Sequence, residues 1–180
     1  MKVYIVLLGI LIFTQQINAQ IPEREVRKSE RKEAKKERQE KKRKLTTDMV
    51  DKRTFVLKAN YLSNSRGNRQ IVNSTINFLQ VDEDHAIIQI GSDTGIGYNG
   101  VGGITTDGRI TSWEVVEKKN DSYYIAFDVI TSISHYNIRM DVRSDGSARA
   151  TLTGLRRGNL IYEGNLVPIE TSRVFRGNSI

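Results

Sequence analysis

The feature that most constrains this chain is a strict alternation of apolar and polar residues through its later half. Tyr123, Ile125, Phe127 and Val129 occupy every second position of one run. Tyr136, Ile138, Met140 and Val142 do the same in the next, leaving Asn137, Arg139 and Asp141 on the opposite side. Successive side chains of a strand point to opposite faces, so such runs are strands with one buried face, and their close succession implies antiparallel pairing. The pattern recurs earlier, in Phe55, Leu57, Ala59 and Tyr61 and in Val72, Ser74, Ile76 and Phe78.

Turn chemistry supports this reading. Asp107-Gly108, Asp145-Gly146 and Gly158-Asn159 tolerate positive φ and fall between the runs at hairpin spacing. The runs place strands near 54–61, 72–80, 85–90, 109–117, 122–131, 135–144, 147–154 and 159–167. Eight short antiparallel strands predict an all-β domain, a small closed barrel that leaves no exposed edge; a two-sheet β-sandwich is the alternative.

The N-terminal third is different. Lys2 precedes the apolar run Val3–Phe13, 11 residues long, and a polar stretch ending at Ala19. That is the form of a secretory signal peptide cleaved near Ala19, and it is too short for a span of about 20 residues. The processed chain is expected to be periplasmic or secreted, with no transmembrane segment. The chain has no cysteine, so it is expected to be neither a lipoprotein nor a disulfide scaffold.

Charge is unevenly placed. Glu23–Lys44 holds 12 basic and 6 acidic residues, whereas Leu45–Ile180 holds 15 of each. The arm has strong helix propensity but almost nothing to bury, since only Val26 and Ala34 are apolar. Pairs four apart, Glu23 with Arg27, Glu37 with Lys41 and Glu40 with Lys44, favour a solvated helix of roughly 30 Å. Leu45 and Met49, with Thr46, Thr47 and Asp48 able to cap a fresh turn, are expected to dock its end on the domain. The arm suits an anionic surface as partner, through residues 23–44, or a plain spacer. Nucleic acid is not expected, because the arm has no aromatic residue to stack on bases. The organisation is thus 1–19 signal peptide, 20–53 charged helical arm, 54–168 barrel and 169–180 C-terminal tail.

Within these limits the chain resembles the exported Bacteroidetes proteins of domain of unknown function 4251. The resemblance rests on FVLKANYL, the glycine-rich GYNGVGGI, the strands YYIAFDV and YNIRMDV, the turn SDGSARATL and the closing LIYEGNL, between Leu45 and Val167. It implies a lipocalin-like fold, a helix ahead of an eight-stranded barrel, and brings no established activity. The arm is longer than that family pattern requires.

Chemical motifs are sparse. Gly95, Gly97 and Gly100 spell a dinucleotide fingerprint, but the residues after them read as turn and strand, not as the helix that would hold a pyrophosphate. Half of the 14 glycines fall between Gly91 and Gly108, which fits a loop, ordered or acting as a lid, with Tyr98 as its aromatic. Asp84-His85 and Ser134-His135 are adjacent, and strand neighbours point apart, so neither is expected to form a relay. His85 and His135, even if brought together, lack a third metal ligand. Asp128 and Asp141 are expected on neighbouring strands, on the polar face. No catalytic residue, metal or cofactor is expected.

Phe55, Tyr61, Phe78, Tyr123, Phe127, Tyr136 and Tyr162 are expected inside, in a barrel just wide enough to be filled by side chains or to hold one small ligand. For a hollow barrel, Tyr98, Trp113, Tyr123 and Tyr136 are the candidate ligand-binding residues, offering apolar walls with polar handles to a small amphiphilic molecule. The functional expectation is a non-enzymatic envelope protein binding such a ligand or a protein partner. The alternatives are a hydrolase built on His135 and a strand carboxylate, and an adaptor acting through the arm.

Overall fold

A computed structural model describes residues 23–92, 99–154 and 158–180. The chain divides into two compact units, one up to Glu40 and the other Lys41–Ile180. Helix α1, Glu23–Asp51, supplies the described part of the first unit and the start of the second. With no glycine or proline to interrupt it, it runs unbroken through Thr46–Asp48, where a fresh turn was expected. From Arg24 to Glu40 every residue is exposed.

In the second unit the helix end docks through Thr46, Met49 and Val50, all buried, while Leu45 is 44% exposed. The expected Leu45–Met49 stripe is therefore displaced: residues 46, 49 and 50 share one helical face, and Leu45 lies at its margin. Thr47 shares a 2.9 Å hydrogen bond with the Tyr123 hydroxyl, and Arg43 pairs with Asp121 at 3.0 Å. The helix ends at Asp51, and Arg53, with a φ of 52°, turns the chain into the sheet.

The sheet comprises β1 (Thr54–Asn64), β2 (Arg69–Ile71), β3 (Phe78–Asp82), β4 (His85–Ile90), β5 (Ile104–Lys118), β6 (Ser122–Thr131), β7 (His135–Val142), β8 (Ser147–Thr153) and β9 (Leu160–Val167). Every pairing is antiparallel, and β1 also pairs with β9 from Val56↔Val167 to Asn64↔Leu160. The result is a closed eight-stranded antiparallel barrel with one extra strand, β2, and an N-terminal helix. Closure rules out the open sandwich.

Two expected elements differ. The run 72–80 is a strand only from Phe78, because Asn73 accepts hydrogen bonds from the Thr75 amide (3.0 Å) and hydroxyl (2.8 Å) and holds a turn there. The short β2, absent from the sequence reading, pairs Ile71 with Tyr61 on the edge of β1 that β3 continues below. Asp107-Gly108, read as a turn, lies inside β5. Gly108 is there because a side chain would collide with the Ile130 carbonyl, not because the chain reverses.

Inside, Phe55, Leu57, Ala59, Ile125, Ile138, Met140, Ala150 and Tyr162 are all 0% exposed. A void wide enough for one water beside any of them would leave surface to wet, so the barrel is filled at these positions. Each large apolar side chain removed from water contributes about 1.5–3 kcal/mol, and this interior is the main source of stability. Two expected interior aromatics are not inside. Phe78 pairs with Lys58 and Gln89 on the outer face, and Tyr61 pairs with Glu163 on the outer wall beyond a bulge between Ala59 and Tyr61.

Phe78, Val56 and Ile87 form a second apolar cluster outside the barrel, covered by Val167, Ile169 and Val174. The segment read as a tail is thus an ordered strap. After a 3-10 turn at Ile169–Thr171 it is held by Gln89, which is fully buried and uses all four bonding sites. Its Nε2 donates to the Ile76 (3.0 Å) and Phe175 (2.8 Å) carbonyls, and its Oε1 accepts from the Thr105 hydroxyl (2.9 Å) and Gly177 amide (2.8 Å). Replacing Gln89 by Leu strands these four groups, and equilibrium urea unfolding should show a loss of about 2–4 kcal/mol, with the strap released to proteolysis.

Candidate functional site

The residues expected to bind a ligand point inward, except that Tyr98 lies outside the described residues. Trp113, half-buried, packs on Phe127 (ring centroids 5.0 Å) and Phe55 (6.5 Å), with the Arg53 guanidinium 5.2 Å from its ring centre. Tyr123 is 5% exposed and bonded to Thr47; Tyr136 is 4% exposed, and burial pushes its phenol pKa up. Along β6 these three sit at the levels of Tyr123, Phe127 and Val129. At about 3.3 Å per residue that is roughly 20 Å of barrel, so they do not converge on one cavity. Tyr162, completely buried, donates to the Gln89 carbonyl at 3.0 Å, and burial also raises its pKa. Among the described residues, the buried side-chain polar atom left without a partner is Thr106 Oγ1.

The histidines lie apart. His85, Arg109, Ile130 and His135 form one cross-strand row, so three strand spacings, roughly 14 Å along the sheet, separate the two rings. Asp84 and His85 do touch, Oδ1 to Nδ1 at 3.2 Å, against expectation. Asp84 stands in the β3–β4 turn, where Glu83 has a φ of 55°, and strand alternation does not apply there. The Ser134 hydroxyl donates to backbone carbonyls, not to the His135 ring. Among the described residues no group of three or more His, Cys, Asp and Glu could hold a metal ion.

The strand carboxylates are separate. Asp128 pairs across to Asn137, and Asp141 to Tyr124. Asp128 accepts from the Ser112 hydroxyl at 2.6 Å and the Asn137 amide at 2.9 Å, and lies 3.5 Å from His135 Nε2. The Ser112 bond, then the Asn137 bond, hold its carboxyl below the usual range. A hydrolytic relay needs histidine between the hydroxyl and the carboxylate. Here the carboxylate is in the middle, and its depressed pKa makes it a poor base for Ser112.

Among the described residues, polar groups converge in a concavity on the outer wall, a groove of about 640 Å³. Its floor is the cross-strand row Tyr61, Glu163, Arg149, Asp141, contributed by β1, β9, β8 and β7. Alternation places all four outward, since their neighbours Tyr162, Ala148, Ala150, Met140 and Val142 face in. Glu163 is pinched between Arg149 and Arg69, the latter at 2.7 Å, and the Arg69 guanidinium lies 3.6 Å from the Tyr61 ring centre. At the other end Lys118 pairs with Asp141 at 2.7 Å and sits 5.0 Å from the Tyr124 ring centre. Arg143 and Ser147 complete the rim. Planar guanidiniums beside an aromatic face can take a carboxylate or phosphate through paired hydrogen bonds while the ring covers an apolar portion.

Sequence reasoning missed this row. Arg149 and Glu163 were visible as polar positions in SDGSARATL and LIYEGNL, but their meeting depends on the register of β8 on β9 and of β9 on β1.

Fold and site together define a class: a filled antiparallel barrel with a docked helix, whose polar convergence lies on its outer wall. The family model described as Domain of unknown function (DUF4251) matches residues 37–166, and the chain belongs to that family. A crystal structure of a DUF4251 family protein from Bacteroides eggerthii DSM 20697 is similar, with a TM-score of 0.60 and 22% identity, covering 72% of this chain and 89% of that one. At that identity the likeness concerns the fold. No curated protein matches this chain.

The Asp128 cluster yields a pH prediction. A carboxyl whose folded pKa is depressed adds stability above its unfolded value, near 3.9, and loses it as pH falls through the folded value. In Ser112→Ala the Asp128 titration, followed by carboxyl NMR, should move up toward the ordinary aspartate value. The variant's stability advantage at neutral over acid pH should shrink accordingly.

Proposed function

We propose that this chain is an exported, non-enzymatic binding protein that takes a small amphiphilic molecule on the outer wall of its barrel. The observation that carries this reading is the Arg69–Glu163–Arg149 arrangement beside Tyr61. Its two guanidiniums would hold the ligand's carboxylate or phosphate, and the tyrosine ring its apolar part. The groove's volume falls within the range of small-molecule sites, about 300–1,000 Å³. Placement outside follows from the core: the interior positions are already occupied by the chain's own side chains. Export rests on the Met1–Ala19 leader pattern, and the basic arm serves in this reading as a tether to an anionic surface.

Arginines locked to a carboxylate are partly neutralised, and a ligand anion must compete with Glu163. Glu163→Gln should therefore tighten binding of an anionic ligand, and Arg149→Ala should weaken it by roughly tenfold or more, with paired charged hydrogen bonds worth about 1.5–3 kcal/mol each. The measurement is native extraction and mass spectrometry of residues 20–180 from the producing cells, followed by calorimetric titration of the recovered molecule into both variants. Equal affinity in wild type, Glu163→Gln and Arg149→Ala would remove the groove as the site.

A further inference from the structure

The arm is not merely basic; its charges are sorted. Glu23–Glu40 holds eight basic and six acidic residues, a net charge of only +2. Spread evenly, so small an excess would give a helix little attraction for anything. In α1, Arg24, Lys28, Arg31, Lys35 and Arg38 recur at intervals of four and three and so form one straight stripe, flanked by Arg27 and Lys32. Glu30, Glu33, Glu37 and Glu40 recur the same way on another face, and at 3.6 residues per turn the two stripes are centred roughly 160° apart. Between them lie Glu25 and Lys36. All of these side chains are exposed.

We infer that this segment is a one-sided electrostatic contact: its arginine–lysine stripe lies along a flat anionic lipid surface while its glutamate stripe stays in water. This rests on the reading of the arm as a tether and specifies what it binds and with which face. A flat surface meets one side of a helix only. The five stripe cations, spread over about 21 Å, all reach it, and the glutamates are held about a helix diameter away, where salt screens their repulsion. A flexible acidic polymer that wraps the helix would meet both stripes and gain little. A second copy laid stripe to stripe is also disfavoured, because exposed ion pairs without an apolar seam contribute little and coiled-coil pairing needs sustained apolar positions. Insertion is not required, and the missing apolar face is then no obstacle; juxtamembrane cations act through the surface potential alone.

The test keeps composition and net charge fixed. In the processed chain, residues 20–180, two neighbouring pairs are exchanged: Glu30→Arg with Arg31→Glu, and Glu37→Arg with Arg38→Glu. Each exchange moves a cation off the basic stripe and puts a carboxylate in its place. Sedimentation with phosphatidylethanolamine vesicles containing about 30% phosphatidylglycerol should show wild-type binding at low salt that is lost at high salt and absent without the anionic lipid. The exchanged arm should bind at least about tenfold more weakly, with the far-ultraviolet circular dichroism unchanged. Equal binding by the exchanged arm overturns the inference, as does wild-type binding to a soluble acidic polysaccharide but not to vesicles. A chain lacking 23–44 separates the tether from the stripe. If it fails to bind while the exchanged arm binds normally, the tether survives and the sorted stripe falls; if it binds like wild type, both fall.

Discussion

Everything distinctive about this domain depends on the pairing of β1 with β9. That ladder turns a meander into a barrel, leaves β1 and β9 no open edge toward each other, and fixes what stands beside what on the outer wall. Tyr61 faces Glu163 only across this seam. The bulge between Ala59 and Tyr61 adds one residue just before the contact, so Tyr61 points out where uninterrupted alternation would have sent it in. The same bulge lies where β1 passes from pairing with β3 to pairing with β2, whose first residue is Arg69. One local irregularity therefore brings the aromatic ring and Arg69 to Glu163, which Arg149 already faces across the β8–β9 ladder.

A filled interior changes what a barrel of this kind can do. Eight strands enclose just enough room for either side chains or a small ligand, and here the first use wins: Phe55, Phe127, Tyr162 and the aliphatic residues between them take the space. Polar groups that would orient a ligand inside are largely committed already, Tyr123 to the helix and Tyr162 to the β4 backbone. The outer wall is different. There the polar half of each strand's alternation is free to form charged rows across three or four strands, as in Tyr61, Glu163, Arg149 and Asp141.

How much of this could be read in the sequence follows from the range of each interaction. Strands with clean alternation and Asx-glycine turns, such as β6, β7 and β8 with its Ser-Asp-Gly-Ser turn, are local and were legible to within two residues. The run 72–80 misled because its apolar period was right while Asn73 imposed a turn the period does not reveal. Asp107-Gly108 misled in the opposite sense: a good turn pair was used for close approach to a neighbouring strand. The strap over Phe78 and the buried Gln89 were illegible, since a lone glutamine in a strand gives no sign that the C-terminus will return to satisfy it. The groove was illegible for the same reason at longer range; its members are ordinary outward residues until three registers are known.

The arm shows the converse, a property that becomes legible only when a period is applied to the charges. Counted by composition, its residues 23–40 are a solvated helix with a small positive excess. Counted by helical position it is a rod with two faces of opposite sign, and α1 supplies that position directly. Helix stability alone does not require such sorting. Intrahelical pairs between Glu and Lys four apart would be served as well by alternating signs around the whole circumference. Separating the signs forgoes some of those pairs and places like charges beside one another along each stripe, at a cost of a few tenths of a kcal/mol per neighbour. What the sorting yields in return is a strong local field on one side of the helix, set by the direction the stripe presents more than by net charge.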